Sequence, residues 1–237
     1  MNDIKRTARI TGLAYLGLAI TGMVGFLLIR SALYVDGDSA QTLANLVERE
    51  SFARLGVAFD FGIVITQALA ALWFFKLFRR WNPFAAGALA AFGMVNAIMI
   101  LVGVMFTSTA LHVALNPASA PGGDQAGTIQ LLVDLSNGAW SVSALFFGLW
   151  LIPMGYVVDS ARLMPRALGA ILMVSGGGYI LSAFAKVLLP DAPLVAELLP
   201  LPATVGEFWI LGYLLIFGVR ASAVSGEREP VRVEATA

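Results

Sequence analysis

A chain of 237 residues that is 59% hydrophobic and only 13% charged, with mean hydropathy +0.83, departs far from soluble domains, where charged residues make up about 25%. This is the composition of a polytopic membrane protein, and its fifteen basic and fifteen acidic residues cancel, leaving no bulk positive charge to attract nucleic acid. The absence of Cys removes disulfides, thiolate nucleophiles and thiolate metal sites, and a single His makes a multi-histidine zinc site impossible within one chain.

The chain opens with a basic segment through Arg9, after which residues 10–29 run uncharged for a full bilayer width, about 20 residues. The run ends LLIRSALYVDGD without a small-residue cleavage site, so it reads as a retained signal anchor. Residues 36–50 form a polar connection with Leu43, Leu46 and Val47 at helical spacing. Asp38 is the expected N-cap of a short interfacial helix, with Gln41 closing a capping box. A second span at 54–75 is interrupted only by Asp60 and ends in the basic turn KLFRRWNP. The third span covers 84–112, and the Pro and Gly of PASAPGGDQAG mark a loop at 117–127. The fourth, 130–156, carries Pro153 near its end, where a kink or an end to regular helix is expected. A second basic turn, DSARLMPR, precedes the fifth span at 167–189. The Pro-rich segment 190–202 leads to the sixth at 203–219.

The expected fold is therefore all-α: a polytopic bundle of six transmembrane helices over 1–220, followed by a disordered cytoplasmic tail at 221–237. Eleven of the fifteen Lys and Arg residues fall in the N-terminal segment, the two basic turns and the tail, which share one side of a six-span arrangement. Cytoplasmic loops hold the excess of Lys and Arg, so both termini are expected in the cytoplasm.

Three acids lie within the spans. Asp60 and Asp134 are 74 positions apart, and Asp134 and Glu207 are 73 apart, each in an even-numbered span. The odd spans open alike, as RITGLAYLG, FAAGALAAFG and RALGAILMVSGG, which suggests three helical hairpins in parallel repetition. Counted from the span boundaries, all three acids fall in the outer half of the bilayer, near the level of Arg30, Arg54, Lys186 and His112. A polar layer opening outward is the expectation, because intramembrane charges pair with one another or face water. In the fourth span Gln130, Asp134, Asn137 and Ser141 follow helical spacing and form a polar stripe. A carboxylate in that stripe is too costly to set against lipid tails, so this face is expected against protein or water.

These residues make Asp60, Asp134, Glu207, Asn137, Gln130, Arg54, His112 and Lys186 the candidates for binding a small molecule or a cation. The plainer alternative is that the acids and amides are interhelical glue, and that His112 is an interface-level histidine beside a loop. Arg54 lies six positions from Asp60 and does not share its helical face. Gln67, two turns below Asp60, extends the same wall. Trp73, Trp81 and Trp209 read as interfacial anchors, and the glycines as close-packing surfaces rather than phosphate loops. No cofactor, no metal and no catalytic residue are expected. The partners expected are the lipid bilayer and a small-molecule or cation ligand, with homo-oligomer formation left open.

At RLGVAFD, GLWLIPMGY, PRALG, GGYI and GEFWILGYLLIFGVR the chain resembles a bacterial family of six-span proteins, the domain of unknown function 4386 family. The resemblance runs from Arg9 to Arg220. It implies a six-helix protein of the bacterial cytoplasmic membrane and brings no activity with it. It also implies that Arg54, Asp60, Asp134, Arg166 and Glu207 occupy the family's recurrent polar positions. Many members carry a His just after the acid of the fourth span, where this chain has Ser136 and Asn137.

Three functions fit these features. The leading one is binding and transport of a small molecule or ion at the outward-facing polar layer. The second is a non-catalytic membrane component that assembles with a partner through small-residue helix faces. The third, an intramembrane lipid-acting enzyme, has neither a nucleophile elbow nor a metal motif to support it.

The orientation is directly testable, because a chain without Cys can be probed with single-Cys variants. Arg79→Cys is expected to be shielded from a membrane-impermeant maleimide in intact cells and Asp124→Cys to react; labelling of Arg79→Cys would overturn the orientation.

Overall fold

The computed structural model describes residues 2–220, and the tail expected at 221–237 lies outside the described residues. Among the described residues the structure is helical, with no strand and six helical spans long and apolar enough to cross a membrane. The protein is a multi-pass membrane protein.

The first span is a composite: α1 (Asn2–Gly22), a π-helical stretch (Met23–Arg30) and the single turn α2 (Ser31–Leu33). A connecting helix, α3 (Ser39–Glu48), follows. The Asp38 carboxylate caps it by accepting from the Gln41 amide at 2.8 Å. The reciprocal half of the expected box does not form, because the Gln41 side chain donates instead to Asn45 Oδ1 at 3.0 Å. Only one of the three apolar residues noted in this helix, Leu46, is fully buried, while Val47 stays exposed.

The remaining spans are α4 (Glu50–Phe78), α5 (Pro83–Leu115), α6 (Gln125–Ser160), α7 (Arg166–Leu188) and a sixth in two pieces, α8 (Pro193–Leu198) and α9 (Leu201–Ile216). Their starts follow capping rules. Asn82 accepts from the Ala85 amide at 2.9 Å with Pro83 just inside the helix, and Asp124 accepts from the Gly127 amide at 2.9 Å. Of the kink or end expected at Pro153, the end does not occur, since α6 runs as one helix through the proline to Ser160. Close contacts to α7 at Gly148 and Gly155 bracket the proline.

The spans form a closed ring in which α1 packs on α4, α4 on α5, α5 on α6, α6 on α7, α7 on α9 and α9 back on α1. Toward the end that holds Asn2 and Arg220, the ring is filled by Trp150, Phe74, Phe78, Leu77, Met154, Leu168 and their neighbours. Toward the other end, a second apolar cluster of Ile29, Leu33, Leu46, Leu111, Ile129 and Val133 fills the side where α3, α4, α5 and α6 meet. The side bounded by α1, α6, α7 and α9 is left open as a cavity.

Helices α6 and α7 pack backbone to backbone through glycines. A Cβ on Gly148 would lie 2.6 Å from the Gly176 carbonyl oxygen, and a Cβ on Gly176 equally close to the Gly148 carbonyl oxygen. One heptad along each helix, Gly155 and Gly169 meet the same way, at 2.5 and 2.8 Å. Small residues of this kind let transmembrane backbones approach and gain dispersion contacts. Gly22, Gly87 and Gly177, by contrast, have nothing within 4 Å of a built Cβ and are not packing positions. Gly176→Leu is expected to destabilise the protein by about 1–3 kcal/mol or more, read as a lower melting temperature in detergent, whereas Gly177→Ala should be neutral or slightly stabilising.

Candidate functional site

The cavity has a volume of about 820 Å³. Its deep part is formed by Tyr15 of α1, Gln67 of α4, Asn96 of α5, Phe147 of α6, Tyr179 of α7 and Glu207 of α9. Nearer the mouth it is lined by Met23, Phe26 and Leu27 of the π stretch, Asn137, Trp140 and Ser141 of α6, and Thr204 and Phe208 of α9. Asp36 and Lys186, both exposed, stand at the rim, at the end of the bundle opposite Asn2 and Arg220.

Most of the wall is apolar or aromatic, and the polar atoms within it are incompletely satisfied. Five buried side-chain polar atoms among the described residues have no hydrogen-bond partner in the protein: Tyr15 Oη, Gln67 Oε1, Trp140 Nε1, Trp150 Nε1 and Glu207 Oε1. The residues bearing four of these atoms line the cavity, and the fifth, Trp150, stacks on Tyr15 at 6.0 Å between centroids. Glu207 lies near both Tyr15 and Tyr179, which line the same cavity. The Tyr15 hydroxyl is directed at the Glu207 carboxyl, yet neither Oη nor Oε1 closes a hydrogen bond of ordinary geometry. Gln67 is fully buried and its amide reaches only the Gly93 carbonyl, at 3.4 Å. Asn96 is satisfied differently, accepting from the Ser143 hydroxyl at 2.5 Å.

A second polar cluster lies between the first span, α4 and α6. Arg30, the last residue of the π stretch, donates to Asn137 Oδ1 at 2.7 Å and to Ser136 Oγ at 3.3 Å. Its guanidinium also lies over the Tyr34 ring at 5.2 Å and the Phe26 ring at 5.8 Å. Arg30, Tyr34 and Asp60 share a small crevice, and Asp60 is buried where Gly25 lets the two helices approach, a built Gly25 Cβ lying 3.4 Å from Asp60 Oδ1.

The three acids therefore do not share one level, as expected from the span boundaries, and do not meet in one cavity. Glu207 faces Tyr15 while Asp60 faces Gly25, ten residues apart on the first span, or about 15 Å at the usual helical rise. The reason is local. The sixth span begins at Pro193 and breaks at Leu199 and Pro200, so Glu207 lies deeper than a start at Ala203 implies. Asp134 occupies a third position. It is exposed and accepts from Gln130 Nε2 at 2.9 Å, one turn beyond Asn137, where the first span gives out at Leu33. The polar stripe of α6 is thus split: Asn137 and Ser141 line the cavity, and Gln130 and Asp134 pair on the surface.

Of the other candidates, Lys186 reaches the rim. Arg54 is exposed and pairs with Glu50 at 2.7 Å, away from Asp60. His112 is exposed at the end of α5, with its ring nitrogens 3.4 Å from Asn116 Nδ2 and Ser119 Oγ. Among the described residues no group of three or more His, Asp or Glu side chains is arranged to hold a metal ion.

The model of a family described as domain of unknown function (DUF4386) matches residues 10–218, which take in all the cavity-lining positions. The chain belongs to the DUF4386 family. Neither the curated proteins nor the solved structures include a match to it. The place where the resemblance implies a His in many DUF4386 members is occupied here by Ser136 and Asn137, and these are the two residues that receive Arg30. Arg166, another recurrent polar position by resemblance, lies 3.6 Å from Asp159 across the turn between α6 and α7.

Sequence reasoning placed Arg30 only at the end of its span and did not single out Tyr15 or Tyr179. Arg30 carried a signal, being the one charged side chain in an apolar run after Arg9. The tyrosines carried none. Arg30→Ala and Asn137→Ala are each expected to cost about 1–3 kcal/mol of stability. The double variant should lose less than the sum, with about 0.5 kcal/mol or more of coupling; additivity in detergent melts would show that Arg30 does not depend on Asn137.

Proposed function

We propose that the protein binds a small organic molecule inside its helical ring and that this binding is the loading step of transport across the bacterial cytoplasmic membrane. The observation that carries the reading is the convergence of unpartnered buried polar atoms on one cavity. A buried donor or acceptor without a partner costs about 1–3 kcal/mol, and native proteins keep few of them. Gln67 Oε1 and Trp140 Nε1, together with Tyr15 Oη and Glu207 Oε1, which face each other without closing a hydrogen bond, fit a ligand that completes their hydrogen bonds. A mainly apolar cavity of about 820 Å³ with a few convergent polar groups is also of the size and character of small-molecule sites.

With the termini cytoplasmic, as the Lys and Arg asymmetry supports, the rim at Asp36 and Lys186 faces the outside. The aromatic packing around Trp150 and Phe74 closes the opposite path. Glu207, Asn137 and Lys186 are the ligand-facing members of the candidate set. Asp60 belongs with Arg30 to the structural support of the wall, and Asp134 with Gln130 to the surface beyond the mouth.

Native mass spectrometry after gentle detergent extraction tests the reading. The parent protein is expected to retain an organic molecule distinct from bulk phospholipid, and Ala144→Trp, which projects an indole into the cavity, should lose it while keeping its melting temperature. A parent that carries no more than Ala144→Trp would overturn the proposal.

A further inference from the structure

Resting on that reading of the cavity, we infer that the ligand is a hydrophobic cation, an amine, quaternary ammonium or phosphonium, held by Glu207 within a box of aromatic faces. Among the lining residues Glu207 is the only Asp, Glu, Lys or Arg in the deep part of the cavity. The two others, Asp36 and Lys186, are exposed at the rim and opposite in sign, so they set no net charge for the mouth. Glu207 forms no ion pair among the described residues, and its Oε1 is buried without a partner. Arg30, in the neighbouring polar cluster, is engaged by Asn137, Ser136 and the Tyr34 ring. A carboxyl group in low dielectric is held ionised by a partner that brings positive charge, so one with no cation of its own suits a cationic ligand.

The surroundings of Glu207 point to the same ligand class. Tyr15 and Tyr179 lie near it in the cavity, and Phe147 packs edge-on against Tyr179 at 5.4 Å between centroids. Trp140 and Phe208 complete the wall toward the mouth. Aromatic faces attract cations through the ring quadrupole, and the attraction is strongest where water is excluded, the arrangement used for quaternary ammonium groups. The same faces would receive an anion poorly, with Glu207 repelling it as well. The access route suits an apolar body. Met23 and Leu27 on one side and Phe208 on the other line the cavity and are also exposed. The helices carrying them touch at the terminal end, where Gly12 meets Leu214 and Leu215.

Equilibrium dialysis of the purified full chain in detergent with three probes tests this. The probes are tetraphenylphosphonium, its size-matched anion tetraphenylborate, and the neutral dye N-phenyl-1-naphthylamine. Tetraphenylphosphonium is expected to bind saturably and tetraphenylborate not to, with Glu207→Gln weakening the phosphonium by about tenfold or more and Trp140→Leu by a smaller factor. Equal binding of the two ions, or parent-like phosphonium affinity in Glu207→Gln, overturns the inference. Saturable dye binding that Ala144→Trp abolishes, without phosphonium binding, refutes the cation and leaves the binding reading standing; binding of none of the three refutes both. Should Glu207→Gln not yield folded protein, the comparison of the two ions on the parent, with Trp140→Leu, decides the question.

Discussion

The backbone contact between α6 and α7 is the constraint on which the open side of the bundle depends. Gly148 on Gly176 and Gly155 on Gly169 bring the two helices closer than side chains allow. Phe147 precedes one of these contacts, and Tyr179 packs its Cβ 2.8 Å from where a Gly148 Cβ would stand. The large aromatics are therefore displaced sideways from the glycine seam, into the ring. There they meet edge to face and become cavity wall. On the far side Gly93 plays a related part, since a built Cβ would lie 2.8 Å from both Trp150 and Ala71. That contact seats Trp150 as the floor beneath Tyr15.

Two polar clusters of similar composition thus have opposite energetics. In the Arg30 cluster the amide, the hydroxyl and two aromatic rings surround the guanidinium, which has its partners inside the protein, and Asp60 lies across the crevice within the field of that cation. Removing one member leaves the rest exposed to the low dielectric, which makes the cluster a clamp between the first span and α6. In the cavity the polar atoms are held in place by packing and left without partners. A clamp can be complete in the isolated chain, whereas a binding site is completed by what enters it. What separates Asp60 from Glu207 is the guanidinium of Arg30 across its crevice, for which Glu207 has no counterpart among the described residues.

The spans were legible because 20-residue apolar runs have few alternatives in a chain this hydrophobic. Capping residues at Asp38, Asn82 and Asp124 act through local geometry and could be read the same way, as Asp38 was. The depth of Glu207 was not legible. Pro190 to Pro202 looks like a loop by composition, but Pro193 and Leu201 each open a helix, Pro being tolerated in a first turn. Spacing also overstated the α6 stripe. Periodicity says which residues share a face but not where the neighbouring helix stops, and Asp134 lies beyond the end of the first span. Glycines were legible as a class and not singly, since Gly176 and Gly177 are adjacent in sequence and opposite in role.

Both departures from regular helix border the cavity. The π-helical stretch Met23–Arg30 contributes Met23, Phe26 and Leu27 to one wall, and the break at Leu199 and Pro200 precedes Thr204, Glu207 and Phe208 on the facing wall. Irregular backbone at membrane depth is tolerated where protein or a cavity surrounds it, because lipid offers no hydrogen bonds to the freed groups. The structure meets this condition at the break. The Leu199 carbonyl rests directly on Gly178, where any side chain would collide, and the Ser182 hydroxyl donates to the Ala196 carbonyl at 2.6 Å. The π stretch ends on Arg30, whose bonds to Asn137 and Ser136 fix its wide turn against α6. The walls that frame the open side are thus the two spans whose backbones depart from the regular ladder, each tied to a neighbour by a few named contacts. A regular α1 would rotate Arg30 away from Asn137, and an unbroken sixth span would lift Glu207 from beside Tyr15. The position of the carboxylate in the cavity is in this sense a property of the backbone irregularity and not of the helix count.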